Sequence, residues 1–263
     1  MVRRQFKVDG LLVEYSGAET PTSDSPPFLL VHGACHGAWC WKFWMEGLAE
    51  MGREGYALSL RNHPGSRTVD PETYLKQTTI ADYAEDVARV AENIGRPCVV
   101  VGHSMGGMVT QKYVEQNDLA AGMVLLTSSP PGQLGPIRSQ PLPEDAPFLP
   151  PPELSAKMFF HTAEQEVIEW AVSQLVPESP SVMNRYSLDQ GDRIDVSAIQ
   201  CPTLVISAGL DGTPVPKDDR IARFYNADYI LEADQGHDLM LEAGWRQVLE
   251  KMVAWSDTNC TGN

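Results

Sequence analysis

Ser104 stands between glycines in Gly102-His103-Ser104-Met105-Gly106, after the apolar run "CVVV" and before the helical pattern "MGGMVTQKYVEQN". A serine on a sharp turn between strand and helix is lifted clear of the sheet edge. There its hydroxyl can attack a carbonyl carbon once a base takes its proton. Six histidines compete for that task. His237 is the best placed, in "EADQGHDLMLE" between the last strand pattern and the last helix pattern. His103 adjoins the serine and is expected to point away from it, while His32 and His36 fall near the loop "VHGACHGAW". His63 lies in a loop and His161 in an insertion, and for all five of these histidines packing or solvation is the expected role.

The base needs an acid to orient it and to stabilise its positive charge. Asp211 follows "LVISAGL" at the carboxyl end of a strand pattern. It is preferred to Asp234 and Asp238, because neighbours of a histidine in sequence rarely reach its ring, and to Asp189, Asp192 and Asp195 at the end of the insertion. The order Ser104, Asp211, His237 is the one expected when the nucleophile sits on a strand-to-helix turn. Attack also creates an oxyanion, which two fixed N–H groups can stabilise. Met105 N–H, next to the serine, is one candidate. Ala34 N–H, in the loop after "FLLVHG", is the other, with Gly33 allowing close approach.

The elements that must hold these residues follow a simple alternation. "QFKVDGLLVEYSG" reads as a hairpin turning at Asp9-Gly10, and "AETPTSDSPP" as a linker. "FLLVHG", "GYALSLR", "CVVVGH", "AGMVLLTSS", "PTLVISAG" and "ADYILEAD" read as strands. "AWCWKFWMEGLAEMG", Thr79 to Ile94, "MGGMVTQKYVEQN" and Ala243 to Trp255 read as helices. Short continuous apolar strands separated by helices predict a mostly parallel sheet covered on both faces. The loop "NHPGSRTVDPETYLKQT" is expected to be irregular, the outer face of the Thr79–Ile94 helix solvated, and the tail "SDTNCTGN" frayed. Clustered prolines in "PPGQLGPIRSQPLPEDAPFLPPPE" break the alternation and open an insertion. Within it, Thr162 and Gln165 read as a capping box before a helix "VIEWAVSQLV".

Composition excludes several classes. With 35 acidic against 20 basic residues the formal charge is −15, which disfavours nucleic acid or an anionic membrane surface as partner. No apolar run approaches the roughly 20 residues of a spanning helix, and the N-terminal stretch lacks a signal pattern, so the cytoplasm is the expected compartment. Five scattered cysteines show neither a disulfide framework nor zinc spacing, and no metal site is expected.

Together "VHGACHGAW", "GHSMGG", "AGLDGTPVP" and "DQGHDLM", in that order, resemble the α/β-hydrolase family over nearly the whole chain. The resemblance implies an α/β fold: an eight-stranded, mostly parallel sheet, residues 1–129 and 199–263, with a helical cap inserted after the sixth strand at residues 130–198. "VHGACHGAW" is similar to plant methylesterases and their hydroxynitrile lyase relatives, and "LSLRNHPGS" to the "LRGHGxS" pattern of bacterial esterases. Gly33 and Asp238 stand where the lyases carry threonine and lysine, so lyase chemistry is not expected, and a serine nucleophile excludes that of the similar haloalkane dehalogenases. The implied activity is that of a serine carboxylesterase working through an acyl-enzyme on small to medium apolar esters, without metal or organic cofactor, as monomer or homodimer. A lactonase or carbon–carbon bond hydrolase with the same triad is the alternative enzyme, and a hydrolase-like ligand-binding protein with little turnover the alternative class. Gly33, His103, Met158, Phe159 and Trp170 are the candidates for substrate contact.

Overall fold

In the computed structural model, which describes residues 2–17, 25–188 and 191–260, strand β1 (Val2–Val8) turns into the antiparallel β2 (Leu11–Gly17). Asp9 and Gly10 both have positive φ, 48° and 79°, the conformation a two-residue hairpin turn matched to strand twist requires. Strands β3 (Phe28–Val31), β4 (Gly55–Leu58), β5 (Cys98–His103), β6 (Ala120–Leu126), β7 (Thr203–Ala208) and β8 (Asp228–Glu232) complete one sheet. Its order is β1-β2-β4-β3-β5-β6-β7-β8, antiparallel at β1–β2 and β2–β4 and parallel from there on. The expected eight-stranded sheet is present.

The strands are short and apolar because both faces are covered. Leu29, Val31 and Val100 pack on one side with helices α3 (Ile80–Ile94) and α4 (Met105–Gln116). Phe28, Leu30 and Val101 pack on the other with α1 (Lys42–Glu50) and α9 (Trp245–Asn259). Trp41 and Trp44 are fully buried in that second layer. Helix α3 starts where the Thr79 hydroxyl accepts from Asp82 N–H while the Asp82 carboxylate accepts from Thr79 N–H, and it stops at Gly95, at φ 74°. The order of strand addition reverses around β3, whose parallel neighbours are β4 and β5, and Val31 pairs with Gly102. The loops leaving β3 and β5 therefore emerge side by side, at the kind of switch point where α/β sheets bind ligands.

Four expectations fail, each for a local reason. The loop after β4 contains a helix, α2 (Pro71–Lys76), begun by Asp70, whose carboxylate accepts from Thr73 N–H, with Pro71 at the first position. The outer face of α3 is not uniformly solvated, because Asp86 is fully buried and accepts from Arg61 N–H and from the Arg61 and Arg67 guanidinium groups. Thr162 does not cap a helix. Its N–H and hydroxyl both bind Glu242, and Glu164 is the residue before α6 (Gln165–Gln174). The tail is not frayed up to residue 260, since α9 runs to Asn259 and Cys260 is buried beside Gly122, whereas residues 261–263 lie outside the described part. The linker reading likewise falls mostly on residues 18–24, also outside it.

Between β6 and β7 the chain carries α5 (Pro152–Phe159), α6 and α7 (Pro180–Ser187). A two-way backbone bridge between Phe148 and Glu178 ties the start of this stretch to its end. A last short helix, α8 (Arg220–Tyr225), links β7 to β8.

Candidate active site

Ser104 sits between β5 and α4 at φ 54° and ψ −120°, a conformation that costs a non-glycine residue roughly 1–3 kcal/mol. The surroundings enforce it. Ser104 carbonyl accepts from Gly107 and Ser129 N–H at 2.9 and 3.0 Å, while Ser104 N–H donates to Leu126 carbonyl at 3.0 Å. A Cβ at Gly106 would sit inside contact distance of the His32 and Val31 carbonyl oxygens. Gly106→Ala is therefore expected to lower stability by at least about 2 kcal/mol, measurable by urea titration. An unchanged midpoint would mean that the turn is looser than described.

His237 follows β8 and is fully buried apart from the ring edge that borders a cavity. Its Nδ1 lies 2.7 Å from Asp211 Oδ2, so Nδ1 carries the proton and Nε2 keeps a lone pair. Asp211, after β7, is held in turn by Thr213 N–H, which donates to Oδ1 at 2.7 Å. Two donors fix the His237 main chain: Thr127 Oγ1 at 2.9 Å and His103 Nε2 at 3.2 Å, both to its carbonyl. Ser104 and His237 border the same cavity without a hydrogen bond between them, a looseness common before substrate tightens a site. Burial opposes charge on His237, but the adjacent Asp211 carboxylate, with Asp238 beyond it, outweighs burial and raises its pKa. A base must be neutral, so the acid limb of kcat/KM is expected above 6.5, the ordinary imidazole value. Asp211→Asn is expected to reduce kcat roughly 10⁴-fold by losing the correct tautomer. A limb at or below 6.5 in a pH series would contradict the assignment.

The loop after β3 brings Ala34 to the cavity, and neither Ala34 N–H nor Met105 N–H is taken by another described residue. Gly33 has no room for a side chain, since a Cβ there would lie 2.8 Å from His103 Nδ1 and 2.9 Å from Ser104 Cβ. That closeness is structural, and Gly33 does not border the cavity. Nor does His103, which is buried beneath it. Burial, then neighbouring His237 and His36, hold the His103 ring well below its usual pKa, hence neutral. Trp170 is also misplaced as a substrate contact: it meets Trp39 edge-on at 5.5 Å with Lys42 above its ring, on a separate surface groove. Met158 and Phe159 do border the cavity, and Phe159 stacks on His237 at 5.7 Å.

Several residues were missed in the sequence because their partners are far away in the chain. His36 is not merely packed: its ring nitrogens face the Ala34 carbonyl at 2.7 Å and Asp238 Oδ2 at 3.0 Å. Asp238 thus serves the Ala34 loop, whereas Asp211 serves His237. His103, His237 and Asp238 lie close enough together to hold a metal ion, but Nδ1 of His237 and Oδ2 of Asp238 are already engaged.

The second missed group is Glu178, carried in from the end of the insertion and fully buried. It accepts from Tyr83 hydroxyl at 2.7 Å, Ser179 N–H at 2.8 Å, His63 Nε2 at 3.0 Å and Cys35 N–H at 3.4 Å. Because His63 Nδ1 faces the Arg61 carbonyl at 2.9 Å, both ring nitrogens donate and the ring is an imidazolium. Burial pushes both members toward neutrality, but mutual attraction wins: His63 is raised and Glu178 lowered. His63 contributes stability fully below its unfolded pKa, about 6.5, and loses it as pH rises through its folded value. Glu178 contributes above its unfolded pKa, about 4.3, and loses it as pH falls through its folded value. The pair is thus fully stabilising between about pH 4.3 and 6.5. Cys35, at φ 67°, follows Ala34, so the insertion buttresses the loop that carries the Ala34 N–H.

A strand-to-helix turn carrying a serine after β5, a carboxylate after β7 and a histidine after β8 on a mostly parallel sheet are the arrangement of an α/β-hydrolase fold. The profile of the alpha/beta hydrolase family matches residues 28–251, and the chain belongs to that family. Among curated relatives, rice (Oryza sativa subsp. japonica) esterase PIR7B is 31% identical over 117 residues, covering 43% of this chain and 42% of that protein. Methyl jasmonate esterase 1 of Vitis vinifera is 32% identical over 91 residues, 34% of this chain and 33% of the relative. The chain thus matches less than half the length of either. Polyneuridine aldehyde esterase superposes with a TM-score of 0.73 at 21% identity, covering 89% of this chain and all of that one. A thermophilic esterase from Thermogutta terrifontis gives 0.73 at 21%, covering 99% of this chain and all of the other. No helix among the described residues is long and apolar enough to cross a membrane.

Proposed function

We propose that the protein is a serine carboxylesterase. Ser104 attacks the ester carbonyl while His237 Nε2 takes its proton, Asp211 holds the resulting imidazolium, and Ala34 and Met105 N–H bind the oxyanion. His237 then returns the proton to the departing alcohol, and water attacks the acyl-enzyme by the same route in reverse. The observation that carries this reading is the strained Ser104 turn sharing one cavity with a His237 whose Nδ1 is bound to Asp211. Residues 130–198 act as the cap, giving the cavity its Ile137, Phe148, Met158, Phe159 and Met183 side chains. The volume, about 200 Å³, suits small to medium esters with an apolar portion. All five cysteines are free thiols, in keeping with a reducing cytoplasm.

A chain-length series of p-nitrophenyl esters, run beside lactones, tests the reading. Steady release of acid and alcohol is expected, with a maximum at short to medium acyl chains. A faster opening of lactones would make the protein a lactonase, and one burst of p-nitrophenol without turnover would make it a binding protein.

A further inference from the structure

The cavity that holds Ser104 and His237 is also bordered by polar groups that the ester-cleaving scheme leaves unused. Arg138 Nη1 is buried without a hydrogen-bond partner, and Arg138 makes no ion pair among the described residues. The Tyr186 hydroxyl lies 3.1 Å from the Met183 sulfur and pairs with the Ser129 hydroxyl. Burial, then the Glu178 carboxylate and Cys35, push the Tyr186 phenol up while Arg138 and Ser129 oppose them, so the three groups share one neighbourhood with Glu178 behind them. Among the described residues no aspartate or glutamate borders the cavity. In a chain with 35 acidic residues against 20 basic ones, a cavity cation without an acidic partner among the described residues is conspicuous.

These groups are held in place. Ile137 and Arg138 N–H both donate to the Ser187 carbonyl, at 3.0 and 2.9 Å, which fixes the Arg138 backbone on the end of α7 beside Tyr186. Ser129 N–H donates to the Ser104 carbonyl at 3.0 Å, and its own carbonyl accepts from Gln111 Nε2 at 3.0 Å. A guanidinium keeps its charge at every pH the protein meets, and a desolvated N–H of such a group is costly until an acceptor satisfies it. Its planar fork matches the two oxygens of a carboxylate, and Ser129 and Tyr186 hydroxyls can each donate to the same acceptor.

We propose that Arg138, with Ser129 and Tyr186, forms a specificity site for a carboxylate borne by the substrate, so that the preferred esters are hemi-esters of short dicarboxylic acids or their close analogues. The proposal rests on the carboxylesterase reading for its ester bond, but the binding site does not depend on turnover. The test compares p-nitrophenyl hemi-esters of succinic, glutaric and adipic acids with neutral p-nitrophenyl esters of matched length. In the natural chain at least one hemi-ester is expected to exceed its neutral partner in kcat/KM. In Arg138→Met that ratio is expected to fall at least about tenfold, mainly through KM, while Arg138→Lys, which keeps the charge but not the fork, is expected to lie between. Taking the ratio cancels any general loss of folding or catalysis. In parallel, Ser104→Ala protein is melted with succinate, glutarate or adipate. A rise in Tm that disappears in the Ser104→Ala, Arg138→Met double variant supports the site. Equal ratios in natural and Arg138→Met chains, with no dicarboxylate-dependent melting shift, would overturn the carboxylate site and leave neutral-ester cleavage standing. A melting shift without turnover of any ester would instead sink the esterase reading and leave the site.

Discussion

Replacing Ser104 with alanine is expected to lower p-nitrophenyl ester turnover by about 10⁵- to 10⁶-fold, the scale of losing a nucleophile whose triad acts as a unit. Folding does not depend on the hydroxyl, because the Ser104 backbone alone makes the bonds to Leu126, Gly107 and Ser129. Melting temperature is therefore expected to stay within a few degrees. Ser104→Gly goes further: relief of the φ 54° conformation is expected to make it more stable than Ser104→Ala by about 1 kcal/mol or more. A glycine variant no more stable than the alanine variant would remove strain from the account. Substantial turnover in either would remove the nucleophile.

Glu178→Ala is expected to cost about 3–5 kcal/mol, because it leaves a buried imidazolium at His63, the Tyr83 hydroxyl and two backbone N–H groups without their shared acceptor. For a chain of this length that corresponds to a fall in Tm of roughly 6–20 °C in a thermal melt. The same change removes the partner of Cys35 N–H, one residue beyond the proposed oxyanion donor, so kcat is expected to fall even at temperatures where the variant is folded. Glu178→Gln keeps an acceptor oxygen and should lie between. A melting point within about 2 °C of the natural chain for Glu178→Ala would show that the buried pair adds nothing to stability.

The difference between Ser104 and Glu178 also marks what a linear sequence can disclose. Ser104, Asp211 and His237 were legible because each occupies a position fixed by the strand-helix alternation: a turn after β5, the carboxyl end of β7, the loop after β8. The sheet was legible for the same reason, since strands buried on both faces must be short and apolar. Glu178 was not. It lies 115 residues from His63 and 143 from Cys35, in a proline-rich stretch where no periodicity announces a contact. Asp86 was misread as solvated because helical spacing reports an apolar face, and a buried carboxylate matched to Arg61 and Arg67 breaks that rule. Thr162 carried the letters of a capping box, but Glu242, 80 residues away, competes for its N–H and hydroxyl. Arg138 was likewise hidden: only the folded insertion turns it toward the cavity of Ser104.

The central claim is that the Ser104 hydroxyl is activated by His237. Mass spectrometry of the protein after treatment with a serine-directed organophosphate tests it most directly. One adduct is expected, mapping to the peptide that contains Ser104, with ester turnover lost in proportion to labelling and labelling itself slowed in Asp211→Asn. Labelling confined to another serine, or full turnover in protein labelled at Ser104, would contradict the account.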